Sequence, residues 1–354
     1  MPNRFLFVRS PDLDDRWPYV PAQVATRLSQ LGELDVVNTK NQVPLSEQTE
    51  LNDVNGLIYF PGGPSLTDAC IAAAPNLKMV GAVADNAGFG LPIEAIFQRD
   101  IPLIDGTRGW AQSVAEIGLS LALSALRRLP WWHARMSALT PHAAWQYEAD
   151  QFCDDKRFVN GTLGTKKVGI VGLGQIGRRV AEWCHCMGAS VVGYDPFLPK
   201  AAAQECGATL IDLDQLIVES ELLFITVPPT PSAEKIVSRE RVFQLRTGAL
   251  VVIVTRAHGI DMDALRKRII NNELMGALDV YDEEPVPAND PLLNRENVIH
   301  TPHIAGRTRD ANIAAIDVIV DDFQRILLNE QPLARVTREM VDIRLYRKDV
   351  PEDA

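Results

Sequence analysis

An α/β chain built on doubly wound parallel sheets is predicted by three observations. Short apolar runs alternate with helix-period segments along most of the chain, the order that specifies parallel sheets with crossover helices. The runs are apolar at consecutive positions, as strands covered on both faces must be. One of them, VGIVGLGQIG from Val168 to Gly177, breaks into glycines at G-x-G-x-x-G spacing where a strand would turn into a helix.

In the first hundred residues Arg4 to Val8, Gly56 to Phe60, Leu77 to Val83 and Ile101 to Ile104 read as strands. Turn residues punctuate them at Pro61, Gly62, Gly63 and Pro64, then at Gly88, Gly90 and Pro92, so this stretch is an α/β unit of its own. Ser113 to Leu129 reads as a long helix, apolar on most sides and expected to be buried between domains as a hinge. Pro130 to Thr165 shows no clear period and carries Trp131, Trp132 and Trp145; these aromatics either fill a core or make a subunit contact. Beyond the glycine loop, Ser190 to Tyr194, Leu222 to Val227, Ala249 to Val254, Met275 to Val280 and Asn297 to His300 read as buried strands with helical spacers. Ile313 to Leu328 is amphipathic and is expected to carry the chain back to the first unit; the charged tail from Arg338 is expected to fray at PEDA.

With 354 residues the chain can form two domains, each with its own core. Charged residues at 23% and apolar residues at 46% are ordinary for a globular protein. A formal charge of -11 argues against nucleic acid as a partner, since phosphate binding needs a basic surface. No apolar run approaches a membrane span, and the first residues are too briefly apolar for a signal peptide, so a cytoplasmic location is expected. The five cysteines, Cys70, Cys153, Cys184, Cys186 and Cys206, are odd in number and scattered, which suits a reducing compartment. Cys184 and Cys186 sit two apart on the helix after the glycine loop and so face different ways; no metal site is expected.

The glycine loop has a specific physics. Gly172 allows the tight turn, Gly174 allows backbone to approach a pyrophosphate, and Gly177 allows close packing of helix on strand, while the helix N-terminus receives the phosphates. Asp195 ends the next apolar run eighteen residues beyond Gly177, where a carboxylate bonds the ribose hydroxyls and repels a 2′-phosphate. The loop is therefore expected to hold a dinucleotide, with NADH preferred over NADPH.

Three polar residues follow strands on the side of the sheet where ligands bind in open α/β folds. Arg256, directly after LVVIVT, presents a guanidinium suited to a carboxylate. His303 lies in TPHIAG past the last strand, and a carboxylate of DVYDEEP, which holds Asp282, Glu283 and Glu284, is placed to hydrogen-bond the imidazole, fix its tautomer and favour its protonated form. Spacing does not choose among those three acids. Such a pair is a general acid for neutral pH.

GLGQIG with Asp195, VPPT at 227 to 230, TRAHGIDMDAL at 255 to 265, GALDVYDEEP at 276 to 285 and NVIHTPHIAG at 297 to 306 together resemble the NAD-dependent D-isomer-specific 2-hydroxyacid dehydrogenases, in order and with similar spacing, from about Pro75 to Gln331. The resemblance implies a Rossmann-type cofactor domain over 113–302, inserted into a smaller flavodoxin-like substrate domain formed by 1–112 and 303–354. It implies an oxidoreductase, usually a homodimer, that moves a hydride between NAD(H) and the α-carbon of a small 2-hydroxy or 2-oxo acid at a cleft between domains.

By position, Arg256 resembles the family's substrate-orienting arginine, Glu284 the carboxylate that raises the histidine pKa, and His303 the acid/base. Asp279 resembles the residue that holds the nicotinamide carboxamide. Gln175 and Ile176 of the loop, Val227 and Pro228, and Val254 and Thr255 fall at cofactor-lining positions. Asp85 and Asn86 fall where backbone amides meet the substrate carboxylate.

The chain departs from the family pattern at VADNAGFG, where a glycine-rich substrate loop is usual, and in the longer stretch from Trp131 to Asn160. It also has Ala257 in place of the usual glycine, followed by His258, for which a surface loop position is expected. Two other readings share the resemblance. One is a dehydrogenase of another small anion, where the Glu284 and His303 pair disfavours formate and leaves phosphite. The other is an NAD-responsive corepressor-like binding protein.

Overall fold

The computed structural model describes residues 2–83, 90–138, 151–152 and 155–344. The chain forms two compact units, cut between Ala111 and Gln112 and again between Ala305 and Gly306. The second cut lies past His303, at which the resemblance implies the substrate domain resumes; His303 belongs to the same unit as Arg256 and Glu284.

In the first unit β1 (Arg4–Arg9), β2 (Glu33–Asn38), β3 (Val54–Tyr59), β4 (Met79–Ala82) and β5 (Leu103–Asp105) form one parallel sheet in the order β2-β1-β3-β4-β5. Leu6 and Val8 of β1 enter a core on one face, and Phe5 and Phe7 enter another on the opposite face. Consecutive residues of a parallel strand are buried on both sides, which is why this strand reads as an unbroken apolar run. Strand β2 was not evident from the sequence because it is an edge strand with four of its six residues exposed, Glu33 and Asp35 among them.

The helix Arg309–Leu327 belongs to this unit, as its pattern predicts. Its Phe323 stacks on Phe5 with ring centroids 6.3 Å apart, and Gly81 of β4 leaves room for Ile319, whose Cγ2 would lie 2.3 Å from a Cβ there. The chain then returns to the sheet through Asp322. This buried carboxylate accepts hydrogen bonds from the backbone N–H of Leu333 (2.8 Å) and Ala334 (2.6 Å), and Ala334 in turn accepts from Asp105.

The second unit holds β6 (Lys167–Val171), β7 (Ser190–Tyr194), β8 (Ala208–Leu210), β9 (Leu222–Ile225), β10 (Leu250–Ile253), β11 (Met275–Leu278) and β12 (Val298–His300). All pair in parallel in the order β12-β11-β10-β9-β6-β7-β8, with the chain reversing direction across the sheet between β6 and β9. Ligands of doubly wound sheets bind outside the carboxyl ends of the strands at such a reversal. Strand β8 escaped the sequence reading because it has three residues, one of them exposed.

The helix Ala111–Leu126 lies in the core of the second unit. Its Leu121, Ala122 and Ala125 pack with Phe224 and Val254, and Gly118 sits 3.3 Å, measured from an added Cβ, from Val254. The following stretch is not irregular throughout. Arg128 turns left-handed (φ +51) and a second helix, Leu129–Met136, begins with Pro130 in its first turn, where a missing N–H costs nothing. No residue of that helix is buried, so Trp131 and Trp132 do not fill a core. Trp145, Cys153 and the tail beyond residue 344 lie outside the described residues.

Truncating Asp322 to Ala leaves two backbone N–H groups without their charged acceptor. The expected loss is about 3 kcal/mol, read from the midpoint of urea unfolding; an unchanged midpoint would show that the return of the chain is held elsewhere.

Candidate active site

The glycine loop joins β6 to the helix Gln175–Cys186, and each glycine has a steric reason. Gly172 turns at φ +90 with Val227 packed against it. At Gly177 a Cβ would stand 2.0 Å from the Gly172 carbonyl oxygen, so the helix can approach the strand only without a side chain. Gly174 differs: a Cβ there would meet nothing within 4 Å among the described residues. Its glycine is not required by the protein's own packing, which fits a surface kept clear for a ligand. Gly174 caps the helix without a side-chain acceptor, and the first turn, which includes Gln175 and Ile176, holds no acidic residue. The N-terminal amides and the positive end of the dipole are thus open to an anion.

Asp195 stands at the end of β7. Its carboxylate accepts from the Leu173 N–H at 2.8 Å and from the Phe197 N–H at 3.0 Å, which fixes it beside the glycine loop on a half-buried face. Thr226 donates its hydroxyl to the Gly172 carbonyl at 2.5 Å and ties β9 to the loop. Val227 and Val254 are buried, Pro228 is exposed, and the Thr255 hydroxyl donates to Val227 O at 3.2 Å. The residues present fit a pyrophosphate flanked by an acid-bound ribose.

Arg256, Glu284 and His303 follow β10, β11 and β12, three neighbouring strands of one sheet. His303 Nδ1 is 2.6 Å from Glu284 Oε2, and Glu284 Oε1 accepts from the Tyr281 N–H at 2.9 Å. Of Asp282, Glu283 and Glu284, Glu284 is therefore the one that meets the imidazole. Asp282 turns away to Arg266. Arg256 directs Nη1 to the Thr255 carbonyl at 2.8 Å.

His303 has φ +53, a left-handed backbone that a non-glycine residue adopts at a cost of order 1 kcal/mol. Asp279 holds that turn. Fully buried at the end of β11, it accepts from Thr301 Oγ1 (2.6 Å), Ile304 N (2.9 Å) and Ala305 N (2.9 Å), and its own carbonyl accepts from His303 N (2.8 Å). Asp279 is thus a brace for the histidine turn. A nicotinamide contact by this residue would have to share oxygens that already carry three bonds. Asp85 and Asn86 lie outside the described residues.

His258 does not sit on a surface loop. It lies in the short turn Ala257–Gly259 with both ring nitrogens buried and, among the described residues, no partner at good hydrogen-bond geometry. Burial, reinforced by the Arg256 charge, holds this imidazole below its ordinary value of 6.5. His300 is half-buried too: its Nε2 meets Leu292 O at 3.0 Å and its Nδ1 meets Tyr281 Oη at 2.9 Å. A carbonyl only accepts, so Nε2 carries the hydrogen and Nδ1 accepts from the phenol. Burial again lowers the pKa. Cys184 is buried, its thiol pushed up to about 12 by desolvation, while Cys186 is exposed. Among the described residues no group of three His, Cys, Asp or Glu could hold a metal ion, and no helix is long and apolar enough to cross a membrane.

Residues 119–305 match the D-isomer specific 2-hydroxyacid dehydrogenase, NAD binding domain. The chain is 30% identical over 307 residues to glyoxylate/hydroxypyruvate reductase B of Yersinia pestis, covering 84% of this chain and 90% of that protein. It is also 30% identical over 308 residues to D-3-phosphoglycerate dehydrogenase of Methanocaldococcus jannaschii, covering 86% of this chain and 55% of the relative. The chain spans about half the length of the phosphoglycerate dehydrogenases it matches. Among solved structures, a phosphoglycerate oxidoreductase from Rhizobium etli shares the fold at a TM-score of 0.79 and 22% identity, over 95% of this chain and 99% of that one. The protein belongs to the D-isomer-specific 2-hydroxyacid dehydrogenase family, and its second unit contains the family's NAD binding domain.

The two half-buried histidines, His258 and His300, set a pH dependence. Each has a folded pKa below its unfolded value, so below pH 6.5 the unfolded chain binds more protons and stability falls as pH falls. The thermal midpoint is expected to drop between pH 7.5 and 5.5. His258→Phe, which removes one of the two groups, is expected to flatten the slope; an equal slope in that variant would take His258 out of the balance.

Proposed function

We propose that the protein catalyses reversible hydride transfer between NAD(H) and the α-carbon of a small 2-oxo or 2-hydroxy acid, of the glyoxylate and hydroxypyruvate type or larger. The observation that carries this reading is the 2.6 Å contact of His303 Nδ1 with Glu284 Oε2, one strand away from Arg256 at the same end of the sheet. When bound, the cofactor supplies or accepts the hydride. Arg256 grips the substrate carboxylate by paired charge-assisted hydrogen bonds and lends positive charge to the carbonyl oxygen as it becomes an alkoxide. Glu284, fixed by the Tyr281 amide, engages Nδ1 of His303 and so turns Nε2 toward the substrate oxygen. That nitrogen gives its proton in reduction and takes it back in oxidation. Asp195, bonded to the glycine loop, supports a ribose contact that favours NADH over NADPH. Asp85 and Asn86 are assigned to the substrate carboxylate by their place in the chain. The site takes small carboxylates in the cytoplasm, and the free thiols of Cys70, Cys184, Cys186 and Cys206 support a reducing compartment.

Purified protein assayed with NADH, and with NADPH in parallel, against a panel of 2-oxo acids is expected to turn over at least one acid and to prefer NADH. His303→Ala is expected to lose about 100- to 10,000-fold in kcat while NADH binding is retained. Tight NADH binding with no acid turned over would favour a sensor or a non-carboxylic substrate instead.

The helix Leu129–Met136 supports a homodimer. It exposes Leu129 and Met136 beside the edge-to-face pair Trp131 and Trp132, and Phe152 nearby in sequence is 83% exposed. Aromatic surface of this kind marks subunit contacts. Sedimentation is expected to give twice the chain mass of 39.1 kDa, and a single-chain mass would overturn the assignment.

A further inference from the structure

The segment from Asp282 to Asp290 carries Glu284 out of β11 and has no regular structure of its own. One residue holds both of its ends. Arg266, on the helix Met262–Ile270, reaches Asp282 with two parallel bonds, Nη1 to Oδ2 at 2.8 Å and Nη2 to Oδ1 at 2.5 Å. The same guanidinium reaches Asp290 Oδ2 from Nη2 at 2.9 Å and from Nε at 3.2 Å. Asp263, 3.8 Å away on the same helix, is almost wholly exposed and adds little. The Asp290 arm is different, because the Arg266 side chain is 16% exposed and that of Asp290 5%, so burial makes its bonds costly to lose. The Asp282 arm is more exposed, at 41%, and holds by its paired geometry.

The clamp is continuous with the site by two routes. Through Asp282 it anchors the residue that follows Tyr281, whose N–H is donated to Glu284. Through Asp290 it reaches Leu292, whose N–H is donated to Asp290 Oδ1 at 2.8 Å and whose carbonyl accepts from His300; His300 in turn meets the Tyr281 phenol. Both routes converge on Tyr281, and through it on the carboxylate that faces His303.

We infer that Arg266 is a positioning residue for the proposed reaction: by clamping Asp282 to Asp290 it sets the Glu284 carboxylate against His303 Nδ1. The inference rests on the reading of His303 as the acid/base. An ammonium at this position is a single point of charge and does not reproduce a fork that bonds two carboxylates at once.

The test compares Arg266→Met and Arg266→Lys with the unaltered full chain by two readouts. Hydrogen–deuterium exchange at the Tyr281 amide reports the clamp without any turnover, and it is expected to quicken at least tenfold in Arg266→Met. For turnover, a displaced carboxylate costs about 10- to 100-fold in kcat, with KM for the oxo acid nearly unchanged, the alkaline limb of the reduction profile moved to lower pH, and partial recovery in Arg266→Lys. Unaltered exchange at Tyr281, or a fall in kcat with the alkaline limb unmoved, overturns the inference. Should Arg266→Met not fold, Asp282→Asn, which weakens the more exposed arm, is measured for the same exchange and the same limb. A chain that turns over no 2-oxo acid yet shows the faster exchange would remove the proposed reaction and leave the clamp standing.

Discussion

The arrangement of the site depends on one buried carboxylate. Asp279 has no exposed surface, yet it accepts three hydrogen bonds from the turn that carries His303. A carboxylate in an apolar core is costly unless its oxygens are bonded. The donors it finds are backbone amides of Ile304 and Ala305, which would themselves be orphaned in a turn that makes no ladder or helix. The two needs meet each other. What results is a left-handed residue at His303 that would otherwise relax, held with its ring toward Glu284. Removing the charge would release the turn along with its strain.

That brace works because of where it sits in the sheet. In a parallel sheet every strand ends on the same side, so residues that follow β10, β11 and β12 are brought together without any long-range folding code beyond strand order. The same rule places the glycine loop after β6 and Asp195 after β7. Two sets of groups with different chemistry, one suited to phosphates and one to a carboxylate and a proton, therefore arise from a single topological fact. The first unit repeats one device on a smaller scale. Asp322, also buried, holds Leu333 and Ala334 where the chain rejoins β5.

How much of this was legible in the sequence follows from whether the signal was local. The glycine loop was legible because its three glycines act within six residues. The buried strands were legible because coverage on both faces leaves an unbroken apolar run. Strand β2 was hidden by its exposed edge, and β8 by its length. The helix Leu129–Met136 was hidden because none of its residues is buried, so it shows no apolar stripe. In the site, spacing did not choose Glu284 over its two acidic neighbours, since a turn decides which side chain points inward; the family resemblance singled it out, and the coordinates put it against His303. Arg266 gave no signal at all. On its helix it reads as a solvated cation, and its partners lie 16 and 24 residues away.

The charge of the whole molecule bears on how the proposed site would meet an anion. At -11 the mean field of the chain repels a carboxylate, so long-range steering works against encounter. Salt at physiological strength screens that field beyond about 8 Å. Attraction is then left to groups at contact distance, and those near the ends of β6 and β10 are suited to it: helix amides with no acidic residue in the first turn, and the guanidinium of Arg256. The carboxylates nearby are each engaged by a specific donor, Asp195 by Leu173, Asp279 by Ile304 and Ala305, Glu284 by Tyr281 and His303, Asp282 by Arg266. An acid whose lone pairs are already directed at protein donors presents less of its charge to an incoming anion than a free one would. The hydrogen bonds that fix the geometry are in this way also what would let an acidic protein keep the proposed anion-binding site.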